Sequence, residues 1–216
     1  MTSKMLDAIG KAFPLTELPC GEFAQQKVSG MQFQIRRFEA ENLGSVSVMV
    51  AKGFFGLMKM DTLIITPTAV DMPLFSYDRV HAMGNDTLIF ELYDTLLGEA
   101  DLSGVEQVKK ASAFLPDHDL GAHWYDSIKL PVSLSKKGKK ASTPAFDDCT
   151  ISYLAAFLKD AKAAAPCEAE PKREKASVYV EGLLKNGGPS TDVFKKGIGE
   201  EKTAELFRKI LFATEV

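Results

Sequence analysis

What this 216-residue chain lacks removes most familiar chemistries before any motif is weighed. Its three cysteines, Cys20, Cys149 and Cys167, are far apart and form no C-x-x-C pair. A zinc or iron–sulfur site made from them alone is not expected, and the odd, sparse count fits a reducing compartment better than a disulfide framework. There is no G-x-x-x-x-G-K-[ST] loop, no glycine fingerprint between a strand and a helix, no H-E-x-x-H and no G-x-S-x-G. No apolar run approaches a membrane span, and Met1–Phe13 has no continuous signal-peptide core, so a cytoplasmic protein is expected. A net charge of only −3 supplies no global field for nucleic acid or an anionic membrane. The expectation is a monomer that purifies colourless, without metal or bound cofactor.

The remaining composition is that of a globular protein long enough to bury one substantial core. Ser3 can cap a short helix bearing Leu6, Ile9 and Phe13, which Pro14 ends. Leu15–Glu22, with Pro19 and Gly21, reads as loop. The period then changes to two. Met31, Phe33 and Ile35 alternate with polar residues, and Val46, Val48 and Val50 alternate with Ser45, Ser47 and Met49, with Asn42 and Gly44 supplying hairpin chemistry between them. Further strands are read at Leu57–Thr66, through Asp78 to Val80, and at Thr87–Asp94, where Leu88, Phe90 and Leu92 share a face. Five strands joined by short turns indicate an antiparallel meander. Helices follow at Gly98–Ala113, Phe146–Ala165 and Lys172–Lys185, another after Asn186–Pro189, and a last at Glu200–Phe212. The order predicts an α+β fold, an antiparallel sheet sandwiched between helices, as a single domain over 1–216.

One segment concentrates the chemical interest, Met72-Pro73-Leu74-Phe75-Ser76-Tyr77-Asp78-Arg79-Val80. Pro73 cannot donate to a sheet ladder, so it marks where a strand starts. Asp78 is then either a surface residue or an acid held in a pocket, and a pocket would raise its pKa toward that of a proton donor at neutral pH. His81, three residues on, points to the opposite face. His118 and His123 flank Asp117 and Asp119, but Pro116 and Gly121 make this a surface loop more readily than a metal site. Ser135–Lys140 reads as a basic turn, either simply solvated or a docking surface for an acidic partner.

The Asp78 segment resembles the x-Pro-[Leu/Ile]-Phe-x-x-Asp stretch of the ferredoxin-dependent bilin reductases. The likeness continues through Trp124-Tyr125-Asp126 and a C-terminal pattern carried by Lys185-Asn186, Gly199-Glu200, Ala204, Phe207 and Leu211-Phe212. The resemblance runs in order over roughly residues 40 to 216. It implies an open-chain tetrapyrrole bound between sheet and C-terminal helices, single electrons from reduced ferredoxin, protons from protein acids, and neither metal nor flavin. Asp78 takes the position of the family's central proton donor.

The departures define the remaining candidates. Where biliverdin-reducing relatives carry a histidine partner, this chain has Asp61 or Thr62, depending on the placement of a one-residue gap. Asp61 is thus a second candidate acid, and Thr62, Phe75, Asn186 and Thr191 are candidate substrate-binding residues. Gly187-Gly188-Pro189-Ser190-Thr191 follows Asn186 where the family has a second acid, and Asp119 lies near the position of a propionate-anchoring arginine. The alternative to an enzyme is a tetrapyrrole-binding protein of the same fold without catalysis.

Overall fold

The computed structural model describes residues 1–215. Helix α1 (Thr2–Ala12) opens the chain, followed by seven strands: β1 (Leu15–Leu18), β2 (Gln25–Val28), β3 (Met31–Ala40), β4 (Gly44–Gly53), β5 (Met58–Pro67), β6 (Leu74–Ala82) and β7 (Asn85–Tyr93). Then come α2 (Ser103–Ala111), β8 (Leu134–Lys139), α3 (Thr143–Ala163), α4 (Ala169–Asn186), α5 (Pro189–Ile198) and α6 (Glu200–Glu205). A π-helical turn over Leu206–Leu211 continues α6.

All strands join one antiparallel sheet in the order β1-β3-β4-β5-β6-β7-β8, with β2 also on the outer edge of β3. The predicted central meander is present. Three strands were not predicted, and each is an edge. β1 and β2 share one edge of β3, separated by a single 3₁₀ turn over Gly21–Ala24, so Pro19 and Gly21 mark an interruption between two short strands rather than a loop. The predicted basic turn is instead β8. Lys136-Lys137-Gly138-Lys139 pairs with Asn85–Leu88 through its backbone, and the exposed Lys137 and Lys139 suit an edge strand, where lysines are a common protection against further pairing.

The alternating side chains divide two apolar cores. One face carries Val46, Val48, Leu63, Phe75, Tyr77, Leu88, Phe90 and Leu92, covered by α1 and α3. Phe90 stacks on Tyr153 of α3, with centroids 4.2 Å apart. The other face carries Phe33, Ile35, Met49, Ile64, Leu74 and Tyr93, covered by α4, α5 and the C-terminal turn. No helix among the described residues is long and apolar enough to cross a membrane.

Two buried charge clusters pin the layers. On the α3 face Arg79, 1% exposed, makes a two-fold ion pair with Asp86, and Thr143 Oγ1 donates to Asp86 at 2.6 Å. On the α4 face the fully buried Lys172 donates to Met72 O and Thr95 O, both at 2.7 Å, and lies 3.2 Å from Asp71. Asp71 in turn accepts the N–H groups of Leu97 and Gly98. Lys172 therefore ties α4 to the residue before Pro73, where β6 begins.

Candidate functional site

On the α4 face the register aligns Met49 with Thr62, Thr62 with Asp78, and Ser76 with Glu91. Above this floor, α4 supplies Tyr179 and Leu183, the start of α5 supplies Thr191, and the C-terminal turn supplies Phe207 and Leu211. The π-helical turn is anchored by Ser47, whose hydroxyl donates to Leu211 O at 2.7 Å. A segment containing Leu120, His123 and Tyr125 forms the side wall. It is seated by Trp124, whose ring lies so close to Gly182 that a Cβ there would meet it at 2.2 Å, so α4 needs glycine at this position. The cavity has a volume of about 250 Å³ and is open to solvent on one side.

Asp78 is half-buried in the cavity floor and accepts a 2.5 Å hydrogen bond from the Thr62 hydroxyl. Burial raises its pKa to about 6; the Thr62 bond opposes the rise and the negative charge of Glu91 adds to it. Glu91 is a diagonal cross-strand neighbour of Asp78, and its Oε2 accepts from Tyr93 Oη at 2.6 Å. The Tyr93 ring stacks on Tyr179 at 4.0 Å, with Tyr125 edge-on to both. Burial pushes all three phenols above their ordinary range, so they remain protonated donors at neutral pH. The site thus sets one carboxyl group titrating near 6, a second carboxyl beside it and neutral phenols against a broad apolar wall.

No family model matches the chain, and no curated protein sequence does. A solved structure does. The crystal structure of selenomethionine phytochromobilin synthase from tomato in complex with biliverdin superposes with a TM-score of 0.78, covering 99% of this chain and 82% of that one at 16% identity. The chain has the bilin-reductase fold. The α+β sandwich expected from the order of elements and from the family resemblance is therefore the one observed.

Within the bilin-reductase fold the register removes the one-residue ambiguity in the sequence. Thr62, not Asp61, lies opposite Asp78. Asp61 points to the other face, where it is 1% exposed beside the Met1 ammonium at 3.7 Å and Lys59 at 3.0 Å. As a candidate acid it is corrected: the sheet stands between it and the cavity. Phe75 is likewise on the other face, against Phe157 of α3, and cannot touch a ligand in the cavity. Asn186 ends α4, exposed and outside the cavity wall, whereas Thr191 lines it and is 1% exposed. His81 faces away from Asp78, as predicted, with Nδ1 3.3 Å from Asp86. Among the described residues no cluster of three potential metal ligands forms.

Glu91 and the tyrosine group were missed by sequence reasoning. A signal was present: if Leu88, Phe90 and Leu92 face one core, Ile89, Glu91 and Tyr93 must face the other side, and Asp78 shares that side only through the β6–β7 register.

Proposed function

We propose that this chain binds a linear tetrapyrrole in the cavity and reduces it in one-electron steps, with Asp78 as the proton donor to the bound ligand. The observation that carries this reading is the placement of Asp78, an acid titrating near 6, on the floor of an aromatic cavity in a fold whose tomato counterpart was solved with biliverdin. A bilin is a conjugated plane with pyrrole N–H donors and lactam oxygens. Tyr93, Tyr179, Phe207 and Phe212 offer π-faces and edges to the plane, while Asp78 offers an acceptor to an N–H when ionised and a donor to a lactam oxygen when neutral. Reduction of one double bond consumes two electrons and two protons. The electrons come from a one-electron carrier, reduced ferredoxin or a similar small acidic protein, and no metal or flavin is needed in the chain itself.

The exposed Lys137, Lys139 and Lys140 on and beside β8 suit the docking of such a carrier by charge complementarity. Lys136 does not belong to that surface: it is 5% exposed, and its ammonium is held by Leu115 O and Asp117. Among the described residues no arginine or lysine lines the cavity, so the ligand's propionates would lie toward the solvent mouth. That absence, with Thr62 where relatives carry histidine, supports the second reading, a non-catalytic tetrapyrrole-binding protein.

Titration with biliverdin, followed by reduced ferredoxin and its reductase without oxygen, separates the readings. An absorbance shift on mixing and loss of the biliverdin band on reduction are expected. Asp78→Asn is expected to bind but stall as a radical visible by electron spin resonance, slower by about 10²–10⁴-fold. A shift without reduction leaves the binding protein, and no shift removes both.

A further inference from the structure

Glu91 is the most distinctive polar group that this mechanism leaves unused. It is 8% exposed. Tyr93 holds Oε2, but Oε1 is shielded from solvent and, among the described residues, accepts no hydrogen bond; it has an ion pair with Lys129 Nζ at 3.7 Å, beyond hydrogen-bond range. A buried carboxylate oxygen with only a long ion pair and no hydrogen bond is incompletely compensated, and such groups call for an explanation in terms of use.

Its position supplies one. Glu91 borders two spaces. The first is the aromatic cavity containing Asp78. The second is a polar cleft of about 230 Å³ at the β7–β8 edge, lined by His118, Asp119, Lys129 and Ser135. Leu120 and Glu91 are the residues common to both walls, and only Glu91 can carry a proton. The Ser135 hydroxyl in the cleft is also buried without a partner. Diagonal cross-strand neighbours lie about 7–8 Å apart along the sheet, a span that two carboxyl side chains close directly or through one water.

We propose that Glu91 is the proton relay of the site, carrying protons from water in the β7–β8 cleft to Asp78. This rests on the reduction proposed above. Asp78 gives its proton to the ligand and becomes a carboxylate. The two-electron reduction needs another proton, and a ligand filling the cavity blocks the mouth as its source. Glu91 takes a proton from the cleft and passes it to the Asp78 carboxylate, returning to its own carboxylate form. Over the cycle the ligand gains two electrons from the carrier and two protons, both drawn from water, and neither acid is consumed. Glu91 acts through Asp78 rather than on the ligand.

The experiment is stepwise reduction of the biliverdin complex by a reduced ferredoxin, following radical formation and radical decay separately in the parent and in Glu91→Gln. Gln can still accept from Tyr93 but cannot carry an acidic proton. The expected result is radical formation at close to the parent rate, decay slowed at least about 10-fold, and recovery of decay on adding imidazole, a small acid able to enter the cleft. A merely structural role would not be rescued. Ser135→Leu, which narrows the cleft from its far side, should slow decay without imidazole rescue, and it decides the matter if Glu91→Gln does not fold. Decay at the parent rate, or equal loss of both steps without rescue, overturns the relay alone. A parent that binds biliverdin but never reduces it overturns the relay together with the reductase reading.

Discussion

An acid held near pKa 6 inside the protein should make the fold less stable at neutral pH than it would be with a neutral side chain. For Asp78 the effect can be worked out. An ordinary aspartate titrates at 3.8, and Asp78 titrates at about 6 because the cavity disfavours its charge. At 1.36 kcal/mol per tenfold change in proton affinity, the gap corresponds to about 3 kcal/mol, an upper value because the cavity is open to water on one side. The sign follows from proton binding. Between pH 3.8 and 6 the folded state holds more protons at this position than the unfolded state, so stability falls as pH rises through that window. Above the folded pKa the loss is complete.

Asp78→Asn removes the charge while retaining an oxygen to accept from Thr62. We expect the variant to match the parent below pH 4 and to exceed it by up to about 3 kcal/mol at pH 8, measured by urea unfolding across the range. Asp71 and Asp86, whose pKa values are depressed mainly by their hydrogen-bond and ion-pair partners against an opposing burial effect, contribute stability that is lost on acidification. They are present in both proteins and cancel in the difference. A difference that does not vary with pH, or a variant less stable than the parent at pH 8, would refute the assignment of Asp78 as a pocket acid.

Thr62→Val removes the hydroxyl donating to Asp78 and should raise its pKa above 6 by about one to two further units, since a hydrogen bond to a charged group is worth about 1.5–3 kcal/mol; carboxyl chemical shifts during a pH titration measure it. Asp86→Ala leaves the buried Arg79 guanidinium with only the longer contacts to Asp147 and Thr143 O, both at 3.4 Å, and should cost up to about 3–5 kcal/mol, read by urea unfolding, while biliverdin binding to whatever remains folded is unchanged because the pair lies on the opposite face of the sheet. Gly182→Ala drives a methyl group into Trp124. It should shift the fluorescence of this single tryptophan and weaken biliverdin binding several-fold by moving Tyr125 in the cavity wall.

How much of this was legible in the chain varies with the physical origin of each feature. The central strands announced themselves because alternation is set by burial on one face. β1, β2 and β8 did not, because an edge strand needs only backbone pairing on one side and can carry prolines, glycines or lysines nearby. The motif located Asp78, but the choice between Asp61 and Thr62 depended on register, where a slip of one residue sends a side chain to the other core. Phe75 suffered from the same two-sidedness. Glu91 and Tyr93 on β7 meet Tyr179 on a helix more than 80 residues away in sequence, a proximity that no local pattern encodes. Lys172 reads as an ordinary exposed helix residue, and only the turn at Asp71 explains its burial.

The Lys172 anchor has a consequence for how the protein breathes. Helix α4 is 18 residues long, roughly 27 Å at 1.5 Å per residue, and the ammonium is fixed near its first turn. Its other end runs into Gly187 and Gly188, whose backbones need no side-chain packing to hold them. Lifting the anchored end would strip a buried charge of all its partners at once, whereas fraying the last turn at the glycine end breaks the Lys195 bond to Leu184 O but no buried ion pair. Amide hydrogens along α4 should therefore exchange in a gradient, slowest at Ala176 and fastest toward Asn186. A bulky planar guest would be admitted where the exchange is fast, at the corner beside Thr191.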